Sequence, residues 1–489
     1  MRRTPHRQPH QTAARPRAER VRTMKPSTTL KTSTALLAAA ALAGCMQLAP
    51  RYERPAAPVP AEFPNATSVP SGAVAAADLT WQDYFADPAL RGLIELALKN
   101  NRDLRIALLN IDSVRAQYDL RRADQLPTVN AGITANRQTG SSGSAVGTYT
   151  AGLSVAAYEL DLFGRVRSLT DTAAAQLLST EEARKAVQIS LVASVSNQYL
   201  ALAADDELLN LTQRTLSTRE ESLKLTQLRF DNGAASELDL RQAQTLTEAA
   251  RVALAQARRQ RELDRNALAL LVGQALPELP SGAGRIDAMT LADVPAGVPS
   301  EVLLGRPDVR QAEQQLVAAN ANIGAARAAF WPRITLTASA GTASTQLSDL
   351  FKDGAWSFAV QLLQPIFDAG RNRANLAVAE AQRDIAVAQY ERAIQAAFRD
   401  VADALAGRAT LDDQLRSTRA QADAEQARYD LSDLRYRNGV SSSLELLDAQ
   451  RSLFTARQAV VQTQLAVLQN RVAVYRALGG GYASTASSR

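Results

Sequence analysis

Residues that supply imidazole and thiol chemistry are almost absent from this sequence. It has one cysteine, Cys45, and two histidines, His6 and His10, among 489 residues. A chain that begins at Cys45 has no imidazole and one thiol, which excludes zinc sites made of Cys and His and triads that use a histidine base. Paired carboxylates could still serve a glycosidase, but 5% aromatic residues are few for a sugar-binding cleft. We therefore predict no enzyme, no cofactor and no metal site.

Positive charge is concentrated at the start of the chain. Residues 1–44 contain nine Lys or Arg and one acid, a net charge of +8, whereas the whole chain has a net charge of +6. The remaining residues therefore carry a net charge of −2. The basic composition belongs to the leader, so the sequence predicts no nucleic-acid partner.

The leader has the pattern of an export signal. Basic residues precede a short apolar run at 36–41, which is too short to span a bilayer. Leu-Ala-Gly-Cys at 42–45 resembles the lipobox of bacterial lipoproteins, which implies that Cys45 is acylated with fatty acids such as palmitate. The alternative is an ordinary signal followed by a free thiol. We interpret 1–23 as an N-terminal extension, with a twin-arginine signal as the alternative.

The strongest pattern is an internal repeat. Residues 225–233 (Leu-Thr-Gln-Leu-Arg-Phe-Asp-Asn-Gly) match residues 431–439 (Leu-Ser-Asp-Leu-Arg-Tyr-Arg-Asn-Gly) at an offset of 206. A repeat of this length predicts a duplicated domain. The predicted organisation is a signal peptide with an extension at 1–44, a lipidated segment at 45–86, a first repeat at 87–273, a linker or equatorial segment at 274–300, a second repeat at 301–480 and a disordered tail at 481–489.

Each repeat contains a predicted long helical hairpin, at 165–272 and at 371–479. Residues 165–230 contain no Pro and no Gly, and their apolar residues recur at helical spacing. Such a helix would be about 100 Å long. Helices of this length must bury an apolar stripe against other helices, as coiled coils do.

The tips of the two hairpins, residues 229–236 and 435–442, follow one pattern. An Asn-Gly pair ends the first helix, and a Ser-x-x-acid capping box starts the second. The residues concerned are Asn232, Gly233, Ser236 and Asp239 in the first hairpin, and Asn438, Gly439, Ser442 and Glu445 in the second.

Two segments, 127–160 and 332–368, alternate apolar and polar residues with the period of a β-strand. We predict two β-hairpins with surface loops at 138–147 and 342–355. Strands of about ten residues suit a transmembrane barrel, although a soluble sheet is the alternative. Four strands cannot close a barrel, and lipid does not tolerate open sheet edges, so several chains must share one barrel.

Four further motifs are spread along the chain. They are Pro50-Arg-Tyr-Glu-Arg-Pro55, Trp81-x-x-Tyr-Phe-x-Asp-Pro-x-Leu90, Pro299-Ser-Glu-Val-Leu-Leu-Gly-Arg-Pro-Asp-Val309, and Tyr436-x-x-Gly439 followed by Leu444-Glu-Leu-Leu-Asp-Ala-Gln450. Together they resemble the TolC/OprM-like outer membrane efflux factors, the NodT-type lipoproteins of RND tripartite systems. Gly305 stands where that family more often has Arg. The resemblance covers nearly all of 45–480.

The resemblance implies a mainly α fold with membrane β: a trimeric twelve-stranded β-barrel, four strands per chain, on a long α-helical coiled-coil tunnel. It implies a lipid-anchored exit duct for small molecules such as drugs in the outer membrane. The implied partners are two more copies of the chain, a periplasmic adaptor, an RND-type inner-membrane transporter and outer membrane lipids. The alternatives are a channel for type I protein secretion and a lipid-anchored coiled-coil spacer without a pore.

The resemblance also implies a periplasmic gate near the tips, with the adaptor docking at Asn232, Gly233, Asn438 and Gly439. Acidic residues there would form rings around the trimer axis, which favours cations and raises carboxylate pKa values. Two of them, Asp239 and Glu445, could instead serve only as caps. At a further gate position this chain has Ser441, which argues against a hydrogen-bonded lock at that position. The candidate gate residues are Asp239, Glu445, Asp448, Tyr436 and Arg435.

Overall fold

The computed structural model describes residues 47–64, 80–139, 143, 145–278, 286–287, 289, 291 and 300–480. The predictions for the signal peptide, for Cys45 and for the tail at 481–489 lie outside these residues, as does most of the linker at 274–300. The order helix–strand–strand–helix–helix occurs twice, from Arg102 and from Pro307, and is preceded by a short helix at Trp81–Tyr84 and by a helix at Pro88–Asn100. The main elements are named in chain order. They are α1 (Pro88–Asn100), α2 (Arg102–Ala123), β1 (Val129–Thr139), β2 (Ala145–Glu159), α3 (Arg165–Asp231), α4 (Glu237–Val272), α5 (Pro307–Ala328), β3 (Arg333–Ser344), β4 (Gly354–Leu363), α6 (Arg371–Arg437) and α7 (Ser443–Ala477).

The helices α3 and α6 dominate the fold, with 67 residues each. Each starts after a glycine in the left-handed region, Gly164 at φ 71° and Gly370 at φ 85°. At 1.5 Å per residue each helix is about 100 Å long. The helix α3 packs against α4 and α6 against α7, while α5 and α7 connect the two halves by packing against α3. The predicted helical hairpins are therefore present.

An aromatic cluster lies where the segment before α1 packs against α7. Tyr84 stacks on Tyr475 with ring centroids 4.8 Å apart, and Phe85 meets the same ring edge-on at 5.4 Å. Nearby, the buried guanidinium of Arg306 binds Asp308 at 2.7 Å and Asp400 at 3.6 Å. Its charge is compensated by carboxylates, as a buried cation requires.

The strands form one antiparallel sheet in the order β1-β2-β3-β4. The register places the apolar members of all four strands opposite one another, for example Ile133 with Ala151, Leu153 with Ala340, and Ala340 with Trp356. The opposite face is polar and is joined by hydroxyl pairs such as Thr134 with Thr150 at 2.6 Å. This confirms the predicted alternation. The face of Ile133 is predominantly apolar, with Arg137, Thr139, Thr342 and Ser344 at its end near the turn between β1 and β2. On this face Ile133 and Trp356 are 72% and 81% exposed.

The predicted surface loops were too long. Thr139 pairs with Ala145, so β1 and β2 extend into the loop predicted at 138–147. The loop predicted at 342–355 loses its first residues to β3, which runs to Ser344, and its last to β4. Polar and small residues continue the ladder here because backbone hydrogen bonding does not depend on side-chain type.

The base of the sheet is joined to the helices by an ion cluster. Glu159 at the end of β2 binds Arg165 of α3 at 2.7 Å and Arg333 of β3 at 2.6 Å. Beside it, Phe163 and Trp331 stack with centroids 5.1 Å apart. The hydrogen bonds and the ring contact hold the start of α3 against the sheet.

The segment 47–64 runs along α5 as a strap. The amide of Asn320 donates to the Pro50 carbonyl at 2.8 Å, and Arg54 forms an ion pair with Glu313 at 2.7 Å. The strap therefore runs antiparallel to α5, starting beside the end of α5 that leads into β3. Within the described ranges, none of the helices is long and apolar enough to cross a membrane.

Candidate functional site at the hairpin tips

The first helix of each hairpin ends in the same turn. The side-chain amides of Asn232 and Asn438 each donate to the carbonyl four residues earlier, at 2.7 Å in both tips. Gly233 and Gly439 follow with φ of 73° and 72°. This left-handed conformation costs free energy for L residues, which have a Cβ, but not for glycine. A Cβ at either glycine would meet nothing within 4 Å. The tip therefore needs glycine for its backbone angles and not for space.

The tips are flanked by exposed leucines, a feature that the sequence analysis did not identify. Leu228 is 60% exposed and Leu434, its counterpart in the repeat, is 59% exposed. Leu238 and Leu444 form a second such pair, at 67% and 61%. The turns are polar, but each hairpin end presents an apolar surface in the single chain.

Asp239 completes the predicted capping box, accepting from the backbone N–H of Ser236 at 3.2 Å. It also accepts a hydrogen bond from the hydroxyl of Ser443, the first residue of α7. Hydrogen bonds from Ser236 and Ser443 hold the pKa of Asp239 below its usual value. Asp239 thus joins the first hairpin to the second.

The second capping box was predicted wrongly. Ser442 precedes α7 as its N-cap residue, but its side chain makes no capping hydrogen bond. Glu445 lies 3.8 Å from the guanidinium of Arg435. A cation on α6 is therefore the ion-pair partner of this carboxylate, an interaction that sequence spacing within α7 cannot indicate.

Asp448 is paired with two arginines. It accepts hydrogen bonds from Arg428 on α6 and from Arg451, one turn along α7, the latter at 2.5 Å. The hydrogen bond from Arg428 and the charges of both arginines hold the pKa of Asp448 below its usual value. Within one chain, cations and donors therefore lower the pKa of Asp448, and the rise expected from rings of carboxylates in the trimer stays a prediction.

Tyr436 and Arg435 point to different partners. The guanidinium of Arg229, at the end of α3, lies over the ring of Tyr436 with 4.7 Å to the centroid. Arg229 is the repeat counterpart of Arg435, so the internal repeat could have indicated it. In the turn between α6 and α7, the hydroxyl of Ser441 is buried and has no hydrogen-bond partner among the described residues.

The two hairpins are thus tied together near their tips by three contacts. They are Arg229 with Tyr436, Asp239 with Ser443, and Gln450 with Ser222 at 3.3 Å. Each pairs a residue of α3 or α4 with one of α6 or α7. The sequence had indicated Tyr436 and Asp239 as gate residues, and Gln450 only as part of the motif 444–450.

A family model described as "Outer membrane efflux protein" matches residues 93–274 and 298–480. The chain is also similar to two proteins of Pseudomonas putida, the toluene efflux pump outer membrane protein TtgC and the antibiotic efflux pump outer membrane protein ArpC. Each is 48% identical over 454 residues, which cover 90% of this chain and 93% of the relative.

A solved structure has the same fold. The open state of the MtrE outer membrane channel of Neisseria gonorrhoeae has a TM-score of 0.81 and is 42% identical, with 90% of this chain and 99% of MtrE covered. The fold is that of three chains that share a twelve-stranded barrel on a helical tunnel. The chain belongs to the outer membrane efflux protein family, and it is an outer membrane channel of an efflux pump.

Proposed function

We propose that three copies of this chain form the passive exit duct of a tripartite pump that expels small apolar molecules, including aromatic solvents and antibiotics. The observation that carries the proposal is the sheet, which has one predominantly apolar face and one mostly polar face. In a closed barrel these faces meet lipid and water respectively. TtgC is named for toluene efflux and ArpC for antibiotic efflux, which supports these cargo classes.

The two alternative functions, a spacer without a pore and a duct for protein secretion, can be compared with the sheet and with the named relatives. A coiled-coil spacer without a pore does not need an apolar sheet face, and an exposed face of this kind would be a liability in water. A duct for type I protein secretion would share this architecture, but TtgC and ArpC are named for efflux of toluene and antibiotics.

Deletion and complementation test the proposal. Deleting the gene should sensitise the host to toluene and to antibiotics, and the wild-type gene should restore tolerance. Purified trimers should conduct ions in planar bilayers. Unchanged tolerance together with no conductance would refute the duct.

A lipid anchor at Cys45 is part of this proposal. The strap at 47–64 is fixed beside the end of α5 that leads into the sheet, and Gln47 donates to Asp171 near the start of α3 at 3.2 Å. Gln47, two residues after Cys45 in the sequence, therefore lies at the end of the helices that leads into the sheet. Mass spectrometry of the native protein should find acyl chains on Cys45, and a free thiol there would refute the anchor. Cys45→Ser should abolish acylation and leave barrel insertion intact, because the barrel is the stronger anchor.

We propose that the tips dock a periplasmic adaptor, which in turn contacts an RND-type inner-membrane transporter. The exposed leucine pairs beside Gly233 and Gly439 support a contact that is partly apolar. Leu228→Ser combined with Leu434→Ser should abolish crosslinking to the adaptor while conductance persists. Val252→Ser, at an equally exposed site on α4 away from the tip (57% exposed), is the control.

We propose that Asp448, with Arg428, sets the ion selectivity of the closed end. Within the chain Arg428 neutralises Asp448, so removing either partner should act in opposite directions. Arg428→Gln should raise cation selectivity in bilayer recordings, and Asp448→Asn should lower it. Identical selectivity in both variants would place the pair away from the conduction path.

A further inference from the structure

Arg219 on α3 is a buried cation that has no carboxylate partner among the residues that the structure describes. Arg219 is 5% exposed, and its Nη1 donates to the Leu246 carbonyl at 2.9 Å. Its Nε has no acceptor among the described residues. The guanidinium carbon lies 5.4 Å from the centroid of Phe454 on α7. Burial lowers the pKa of Arg219 because the charged form loses solvation.

Arg306 provides the internal contrast. It is the other arginine that is fully buried in the part of the chain that the structure describes, and it has two carboxylates as partners. A buried charge without such partners is costly, since desolvation is not offset by an opposite charge. One carbonyl oxygen and one ring face offset little of the hydration that the Arg219 guanidinium loses on burial. The interaction that would offset the rest is one with an anion.

Arg219 lines a cavity of about 130 Å³ between the two hairpins of one chain. Arg214 of α3 and Arg457 of α7 stand at the same cavity, and no carboxylate is among the described residues around it. Arg214 already forms an ion pair with Glu207 at 3.4 Å. The charges available to this space are therefore those of Arg219 and of Arg457, whose guanidinium also donates to Gln426 of the lining. The cavity is larger than one water molecule, which occupies about 30 Å³ in the liquid.

The uncharged lining also suits an anion. Gln450 is 7% exposed, and its Oε1 has no donor among the described residues while its amide nitrogen meets Ser222 at 3.3 Å. The two ends of an amide are exchangeable by rotation. Turned around, Gln450 accepts from Ser222 and presents its NH₂ group to the cavity, which adds a neutral donor to the guanidinium groups of Arg219 and Arg457.

We propose that this cavity is a binding site for a small oxyanion, a carboxylate or a phosphate, that bridges α3 to α6 and α7. Planar guanidinium groups bind both oxyanions through paired hydrogen bonds. The site lies 12 residues before the end of α3, about 18 Å from the tip. An anion there draws together cations from both hairpins that otherwise repel, and so stabilises their packing. The site is independent of the cargo and partners proposed above.

Thermal unfolding of the full trimer in detergent tests the site. Phosphate added at constant pH and ionic strength, with chloride as the replaced salt, should raise the midpoint in a saturable way. Arg219→Gln should weaken the apparent affinity at least about tenfold, because it removes a charged hydrogen-bonding partner. Arg457→Gln, at the exposed mouth, should weaken it less and serves if Arg219→Gln does not fold.

Arg258→Gln is the matched control, since it removes an exposed arginine of α4 that is remote from the cavity lining. Phosphate also stabilises proteins non-specifically by exclusion from their surface. Equal, non-saturating shifts in the wild type, Arg457→Gln and Arg258→Gln would therefore overturn the proposal. Crystals soaked in selenate should show an anomalous peak beside Arg219, and a map with no peak there would overturn it independently.

Discussion

The contact between Arg229 and Tyr436 joins the two hairpins through a cation over an aromatic ring. An exposed contact of this kind is worth about 0.5–1 kcal/mol, roughly a two- to fivefold shift between two states. Arg229→Gln should therefore raise the resting conductance of trimers in bilayers by a similar factor. Tyr436→Phe keeps the ring and should behave like the wild type, whereas Tyr436→Leu should resemble Arg229→Gln. A leaky Tyr436→Phe would instead indicate a lock that uses the phenol hydroxyl.

The carboxyl groups of Asp205 on α3 and Asp264 on α4 form a second contact with a testable consequence. Burial, and then the hydrogen bond and charge of Asp264, raise the pKa of Asp205 to about 7. The pKa of Asp264 is lowered overall, because hydrogen bonds from Asp205, Gln260 and Gln198 outweigh the effect of burial. Below about pH 7, Asp205 therefore holds a proton while Asp264 is ionised.

A folded-state pKa above the unfolded value means that the folded chain binds the proton more tightly. The stabilisation is complete below about pH 4 and is lost as the pH rises through about 7. Trimers should therefore unfold at a lower temperature at pH 8 than at pH 5, and Asp205→Asn should remove most of that difference. Asp206→Asn, which removes the ion pair with Arg261, should keep most of it, because the charge of Asp206 raises the pKa of Asp205 less than burial and Asp264 do. Circular dichroism at both pH values measures the effect.

At the scale of whole elements, the hairpin tips depend on the backbone angles of their glycines. Gly439 has φ of 72° and open space around it, so a substitution there tests conformation alone. Gly439→Val should cost about 1–2 kcal/mol and distort the turn, because a β-branched residue disfavours the left-handed region. Gly439→Asn should be tolerated, since Asn adopts this conformation readily.

Complementation of the deletion strain measures the difference between these two variants. We expect Gly439→Val to have the helical content of the wild type but to leave the deletion strain sensitive. Gly439→Asn should restore tolerance. Full tolerance with Gly439→Val would show that docking does not depend on the conformation of the tip turn.

At the scale of the whole molecule, the sheet requires partners for both of its edges. The strands β1 and β4 each have one unpaired edge within the chain, and the family fold closes them between three chains. The face on which Ile133 lies then meets lipid. Lysine at such a position costs about 2–4 kcal/mol at the bilayer midplane. Ile133→Lys should therefore abolish heat-resistant trimers in gel electrophoresis, whereas Thr134→Lys, on the polar face of the same strand, should keep them.

The sequence by itself determined the helices, the strands and the repeat. These features depend on local periodicity and on residues such as Gly164 and Gly370, which act within a few positions of themselves. The apolar face of the sheet also followed from alternation, because strand period and side-chain direction are coupled. The need for several chains followed from the number of strands.

Only the tertiary structure decided which charges are paired. Asp448 meets Arg428, Arg229 meets Tyr436, and Arg219 is buried without a carboxylate among the described residues. The first contact spans 20 residues, and the second spans more than two hundred. Such pairs depend on which helices become neighbours and in what register, because a charge interacts with whatever lies within a few ångströms of it. Periodicity along one helix carries no information about that neighbour.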